Sequence, residues 1–321
     1  MNGVYVIRGG VNVAKIGFIT NCLTGSFAEK VKVAHRLGYT TLEVACWPVG
    51  HPKQCDIDAD HYGSQDLLSI KKLLNHEQIT IHTLAFYENM LHPDRQQQQH
   101  NLQHLKRVIA LAGDLKVPYV GTYIGKNPNV SLADNFEEYA RVFSDIVAFA
   151  AKKDVTVLIE NCPMPTWDPE GYPATISYTP EMWQRMFELV PNQNYGLNFD
   201  PSHLAWMGID YIQAAKDFSN RIYSVHVKDI TTKQNDIGRY GIYGKKIDQT
   251  HKYDFGYYQP TLAGYGDLNW EKLFSVLSKK GFEGPVQVEY KNSNGYGSID
   301  DPERGLQLSL AYLKEILAIK E

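Results

Sequence analysis

Cysteine is scarce and shows no paired spacing: Cys22, Cys46, Cys55 and Cys162 are the only four in 321 residues, and none forms a C-x-x-C. That spacing gives no indication of a zinc ribbon or a thioredoxin-like redox pair. The four are expected as small, buried apolar side chains. Long apolar runs are missing as well. None approaches the ~20 residues a membrane-spanning helix needs. Residues 1–20 lack the basic-then-apolar layout with a small-residue cleavage site that marks a secretory leader, so a cytoplasmic protein is expected. Neither sign of charge dominates. The 32 basic and 36 acidic residues leave a net charge of −4, well mixed along the chain. With no basic stripe, a nucleic-acid partner is not expected. No G-x-G-x-x-G follows the first strand-like run, which counts against a dinucleotide-binding domain. No Pro/Ser-rich linker divides the chain.

What is present is regular alternation. At 43% hydrophobic and 21% charged the composition is ordinary for a globular protein. The length admits two domains or one large barrel with a sizeable core. Short apolar, β-branched runs occupy residues 15–20, 40–46, 79–86, 117–124, 154–161, 194–200, 222–229 and 284–291. Between them lie segments with apolar residues at three- and four-residue spacing, the mark of amphipathic helices. One of these, residues 26–38, opens on Ser26 and closes on Gly38, a helix start and stop. Near-continuous apolar strands alternating with helices indicate parallel strands covered on both faces. Eight repeats of the unit favour an α/β (β/α)8 TIM barrel, one domain over residues 1–321. Residues 230–265 are too polar and aromatic for core and are expected to form a long loop insertion after strand seven.

In such a barrel chemistry sits where the strands end. Four consecutive strands carry a costly residue there: Glu160 on strand five, Asp200 on strand six, His226 on strand seven and Glu289 on strand eight. Each interrupts an apolar run, where an unpaired carboxylate is expensive to bury. Three carboxylates aimed at one point repel one another unless a cation lies among them. The set is hard and mostly oxygen, suited to one divalent ion such as Mn²⁺, Co²⁺, Zn²⁺ or Mg²⁺. Each acid forming its own salt bridge is the plainer alternative. For Asp200, which precedes Pro201 and Ser202, simple capping of the next helix is another.

The segments IENCP around Glu160, FDPSHL around Asp200, VHVKD around His226, GYGDLNW from Gly264 and VEYK around Glu289 resemble the sugar phosphate isomerase/epimerase family of the xylose-isomerase-like TIM barrel superfamily. That group includes ketose 3-epimerases and inosose isomerases and dehydratases, and more distantly the endonuclease IV nucleases. The resemblance spans most of the chain. It implies a divalent metal held by Glu160, Asp200, His226 and Glu289, and a substrate contact for His203, which otherwise serves as a helix cap. It also implies homo-oligomers, which are common in the group. The chain departs from the nuclease pattern: Tyr123 stands where a strand-four histidine is needed, and no D-x-H follows His226.

The expected reaction is isomerisation or epimerisation of a sugar or polyol. A proton is removed beside a carbonyl to give an enediolate, with Glu160 and Glu289 exchanging protons with the substrate. An inosose dehydratase-type lyase on the same scaffold is the alternative. A nuclease and a non-catalytic sugar-binding protein rank lower. The resemblance makes His203 and His82 substrate-pocket candidates, and position adds Trp47, Glu43, Lys228 and Arg239. Trp47 either stacks on a sugar face or packs the barrel mouth. Lys228 either binds a substrate oxygen or phosphate, or pairs with the acidic site. His82 lines the pocket or is simply packed. Arg239 reaches the substrate if the insertion closes over it.

Overall fold

The computed structural model describes residues 5–7, 11–13, 15–163, 173–242, 247, 256–290 and 301–317. Eight parallel strands close into a barrel. They are β1 (Ile16–Ile19), β2 (Thr41–Ala45), β3 (Thr80–Phe86), β4 (Tyr119–Thr122), β5 (Thr156–Glu160), β6 (Tyr195–Phe199), β7 (Ile222–Val227) and β8 (Val286–Val288). Each pairs with its successor, and β8 returns to β1 through Val286↔Ile16. Every one of the eight runs read from the sequence holds one of these strands. A short antiparallel ribbon, Tyr5–Ile7 with Val11–Val13, precedes the barrel.

The connecting helices are α1 (Phe27–Leu37), α2 (Ser64–Glu77), α3 (Arg95–Leu115), α4 (Leu132–Ala151), α5 (Pro180–Leu189), α6 (Pro201–Trp206), α7 (Tyr211–Asp217), α8 (Gln234–Tyr240), α9 (Trp270–Lys279) and α10 (Pro302–Ile316). Their ends follow local chemistry. Ser26 accepts from the Glu29 amide while the Glu29 carboxylate returns to the Ser26 amide, and Gly38 closes α1 at φ 86°. Buried faces such as Val142, Phe143, Ile146 and Val147 of α4 cover the outside of the barrel. Among the described residues no helix is long and apolar enough to cross a membrane.

Two breaks in register matter for the site. The β2–β3 ladder passes from Leu42↔Ile81 to Glu43↔Thr83, skipping His82. The β6–β7 ladder passes from Leu197↔Ile222 to Asn198↔Ser224, skipping Tyr223. Such bulges re-aim side chains beside functional sites. Here each break immediately precedes a polar residue that enters the barrel interior, Glu43 in one case and Asn198 in the other.

The described part of the 230–265 insertion carries strands and a helix where a loop is expected. Asp229–Thr232 pairs antiparallel with Tyr258–Thr261, and α8 lies between them. Residues 243–246 and 248–255 lie outside the described set. Ile230, Tyr257, Tyr258, Leu262 and Ala263 are buried, contrary to the expectation that this stretch stays out of the core. Its aromatic content is the reason. Tyr258 stacks parallel on Trp206 of α6 at 4.6 Å, and the Tyr257 hydroxyl donates to the Trp206 carbonyl. The insertion is therefore packed against the helix that carries His203.

Candidate active site and metal centre

Side chains two residues apart on a strand share a face. On β6 this places Asn198 and then Asp200 into the barrel; on β7 it places Ser224, His226 and Lys228; on β8 it places Gln287 and Glu289. Two polar tiers result.

The inner tier is Glu43, Tyr87, Asn198 and His226. The Tyr87 hydroxyl donates to Glu43 Oε1 at 2.6 Å. The Asn198 amide donates to Glu43 Oε2 at 3.3 Å and to the Tyr87 hydroxyl at 3.0 Å, and it lies 2.6 Å from His226 Nε2. Strands β2 and β6 are not neighbours, so these contacts cross the interior. His226 Nε2 lies 3.0 Å from Glu43 Oε2, and Nδ1 lies 3.3 Å from Glu160 Oε1. Burial alone would push the His226 imidazole pKa down. The Glu43 and Glu160 carboxylates against the ring overcome that and hold it well above its ordinary value.

The outer tier, nearer the mouth, is Glu160, Asp200, His203, Lys228 and Glu289. Asp200 follows β6 directly and caps α6. Its Oδ1 accepts from the Ser202 amide at 2.8 Å and hydroxyl at 2.6 Å. Its backbone is clamped from both sides by Asn161, which donates to the Asp200 carbonyl and accepts from its amide. That leaves Oδ2 turned inward, 2.7 Å from the Lys228 ammonium and 3.3 Å from His203 Nε2. Lys228 also pairs with Glu289 Oε2 and lies 3.1 Å from His203 Nε2.

Glu160, Asp200, His226 and Glu289 each bring one ligand atom within 4.8 Å of the others, and all four are buried. Glu43 raises the buried carboxylates to four, against the Lys228 ammonium and the His226 imidazole. Uncompensated buried anions are costly, and this excess fits a divalent cation. The donors are carboxylate oxygens and one imidazole nitrogen, which also fits such an ion.

The structure thus brings the expected quartet together, with His203, Lys228 and Glu43 in contact with it. It does not bring the other three expected residues to that point. His82 takes the packed alternative: it is the bulge residue near the start of β3. It bonds Thr41 Oγ1 at 2.9 Å and faces Tyr119, so it belongs to the N-terminal end of the barrel. Trp47 is 2% exposed and donates to Glu88 at 2.8 Å, packed beside Phe86 and Tyr87. Its position is a wall behind Tyr87. Arg239 is exposed on α8, its guanidinium 5.5 Å from the Tyr240 ring. Tyr87, Asn198 and Asn161 escaped the sequence reading. Asn198 had a signal, a polar residue two before Asp200 in an apolar run. Tyr87 had none.

Residues 31–316 match the family model described as xylose isomerase-like TIM barrel. The uncharacterized protein YfiH of Bacillus subtilis is 26% identical over 95% of this chain and 99% of its own length. Inosose dehydratase of Clostridium perfringens is 28% identical, over 36% of this chain and 37% of its own length. Among solved structures, an IolI protein with a bound zinc atom superposes with TM-score 0.69 at 17% identity, over 95% of this chain and 98% of that one. An L-ribulose 3-epimerase superposes with TM-score 0.69 at 13% identity, over 95% and 94%.

Proposed function

Because the chain belongs to the xylose isomerase-like TIM barrel family, we propose that it is a divalent-metal-dependent isomerase or epimerase of a sugar or polyol. One observation carries this reading: four consecutive strands deliver Glu160, Asp200, His226 and Glu289 to a single buried point. These four would hold the ion, and when bound it would supply Lewis acidity towards a substrate carbonyl.

The remaining chemistry belongs to the side chains. Glu160 and Glu289 stand on β5 and β8, with two strands between them, so they approach a bound substrate carbon from different sides. One carboxylate takes the proton beside the carbonyl. The other, as the acid, returns a proton to the opposite face for epimerisation, or to the adjacent carbon for isomerisation. Lys228 orients Glu289 by direct ion pairing. His203, held by α6 under the packed insertion, faces the same space and is placed to bind a substrate oxygen. Glu43, whose oxygens are engaged by Tyr87, Asn198 and His226, acts as a positioning residue behind the ligand rather than on the substrate. Trp47 and Tyr87 close the wall on that side and exclude water.

The test is proton exchange. Incubation with ketoses and inososes in heavy water should place deuterium at the carbon beside the carbonyl, and Glu160→Gln should abolish it. No exchange with any such substrate, with metal bound, would sink the reading. The similarity to inosose dehydratase supports a second reading, loss of water from an inosose on the same residues. Product mass separates the two, being conserved in the first case and lowered by one water in the second.

A further inference from the structure

Glu160 belongs to two donor sets. Cys162 lies two residues beyond it and shares its side of the chain, because Asn161 between them turns away to clamp Asp200. His203 reaches the same place from α6. One ligand atom each from Glu160, Cys162 and His203 lies within 4.8 Å of the others, and all three residues are buried. The His203 Nε2 to Glu160 Oε1 distance is 3.9 Å.

This trio differs in kind from the quartet beside it. The quartet is three carboxylates and an imidazole, a hard set. The trio is one carboxylate, one thiol and one imidazole, a set that selects softer ions. Among the described residues no other cysteine joins a group of this sort. Burial pushes the Cys22 thiol up to about 12 and the Cys55 thiol up to about 11, and it holds Cys46 well above its ordinary value, all of which disfavours the thiolate a metal needs; Cys22 and Cys46 are buried as expected, whereas Cys55 is half-buried.

We propose that Glu160, Cys162 and His203 form a second metal site, specific for a thiophilic divalent ion such as Cd²⁺ or Zn²⁺, with the Glu160 carboxylate shared with the quartet. A metal bound there engages the proposed base and the residue proposed to hold a substrate oxygen. Excess thiophilic metal therefore blocks the reaction; that consequence rests on the isomerase reading, whereas the binding itself does not.

The experiment uses full-length protein stripped of metal, with two probes. Mn²⁺, followed by loss of its free-ion paramagnetic resonance signal, reports the quartet. Cd²⁺, followed by thiolate-to-cadmium charge-transfer absorption in the ultraviolet, reports the trio. One saturating Cd²⁺ equivalent with that absorption is expected in the native chain and in Cys55→Ser. In Cys162→Ser that absorption is lost, whatever Cd²⁺ the quartet still takes up. Retained Mn²⁺ binding shows that the variant is folded, and Cys162→Ala serves if the serine form is not. No cadmium absorption in the native chain, or absorption that survives both Cys162 variants, overturns the proposal. Mn²⁺ binding without the cadmium signal removes this site and leaves the quartet standing. The cadmium signal without Mn²⁺ binding removes the quartet and leaves this site.

Discussion

Across the barrel, Glu43 of β2 sets a carboxylate oxygen 3.0 Å from Nε2 of His226 on β7, while Nδ1 of the same ring faces Glu160. With a carboxylate at each nitrogen the ring is held in its charged form, both nitrogens protonated; a metal taken up by the quartet would displace the Nδ1 proton, and Glu43, which only accepts, keeps the one on Nε2. Glu43→Gln keeps the side chain's shape but weakens this choice of tautomer. Its expected effect is a loss of Mn²⁺ affinity of about 10- to 100-fold. Isothermal titration calorimetry on the metal-stripped protein measures it. Unchanged affinity would show that His226 is held by Asn198 and packing alone.

Lys228 is the cation that the outer carboxylates already have. It is 4% exposed and pairs with both Asp200 and Glu289. Lys228→Met leaves those carboxylates buried without it, at an expected cost of about 3 kcal/mol or more to the metal-free protein. A bound divalent ion offsets the same repulsion, so Mn²⁺ should restore more stability to the variant than it adds to the native chain. Urea unfolding with and without Mn²⁺ gives the two increments. Equal increments would mean that ion and ammonium do not act on the same carboxylates.

Asp229, next after Lys228, organises the segment that the sequence shows as GYGDLNW. Its Oδ1 accepts from the Ile230 and Leu268 amides, and its Oδ2 from the Gly264 amide and the Trp270 indole. A Cβ on Gly266 would come within 2.2 Å of Asp229 Oδ1, so the glycine permits this approach. Asn269 caps α9, while Asp267 accepts from the Thr232 amide and hydroxyl. Asp229→Ala leaves buried donors without acceptors. It is expected to cost about 3 kcal/mol, read as a shift in the urea midpoint at constant slope. A shift below about 0.5 kcal/mol, the range of an ordinary surface change, would refute the role.

These cases separate what was legible from what was not. The eight strands were legible because parallel strands buried on both faces leave unbroken apolar runs. The quartet was visible because a carboxylate ending such a run is conspicuous. Its supporting tier was not. Asn198 and Glu43 are 155 residues apart, and Glu43 and His226 are 183 apart, so their partnership exists only after the barrel closes. Tyr87 looked like any aromatic at a strand end. A polar, aromatic stretch gives no core signal, yet in the insertion Tyr258 stacks on Trp206 and Tyr257 packs edge-on against Tyr258. His82 is ambiguous in the sequence for another reason. A polar residue within an apolar run signals the barrel but not which end of it, and His82 is only the third residue of a seven-residue strand.

That placement has a consequence for acid stability. Burial, reinforced by the Lys15 ammonium, pushes the His82 imidazole down to about 4. In the unfolded chain the ring titrates near 6.5. Between those values the unfolded chain binds a proton that the folded chain refuses, so stability falls as pH drops from about 6.5 to about 4. The full effect at pH 4 is up to about 3 kcal/mol. Carboxylates titrate over the lower part of the same range, so the comparison is with His82→Gln, which keeps a hydrogen-bonding side chain beside Thr41 but carries no proton. Urea midpoints from pH 7 to pH 4 should fall more steeply in the native chain than in the variant. Mn²⁺ stoichiometry should be the same in both, because His82 lies at the opposite end of the barrel from the quartet. Parallel pH profiles would mean that the His82 ring is protonated in the fold without cost. A changed Mn²⁺ stoichiometry would mean that the two ends of the barrel are not independent.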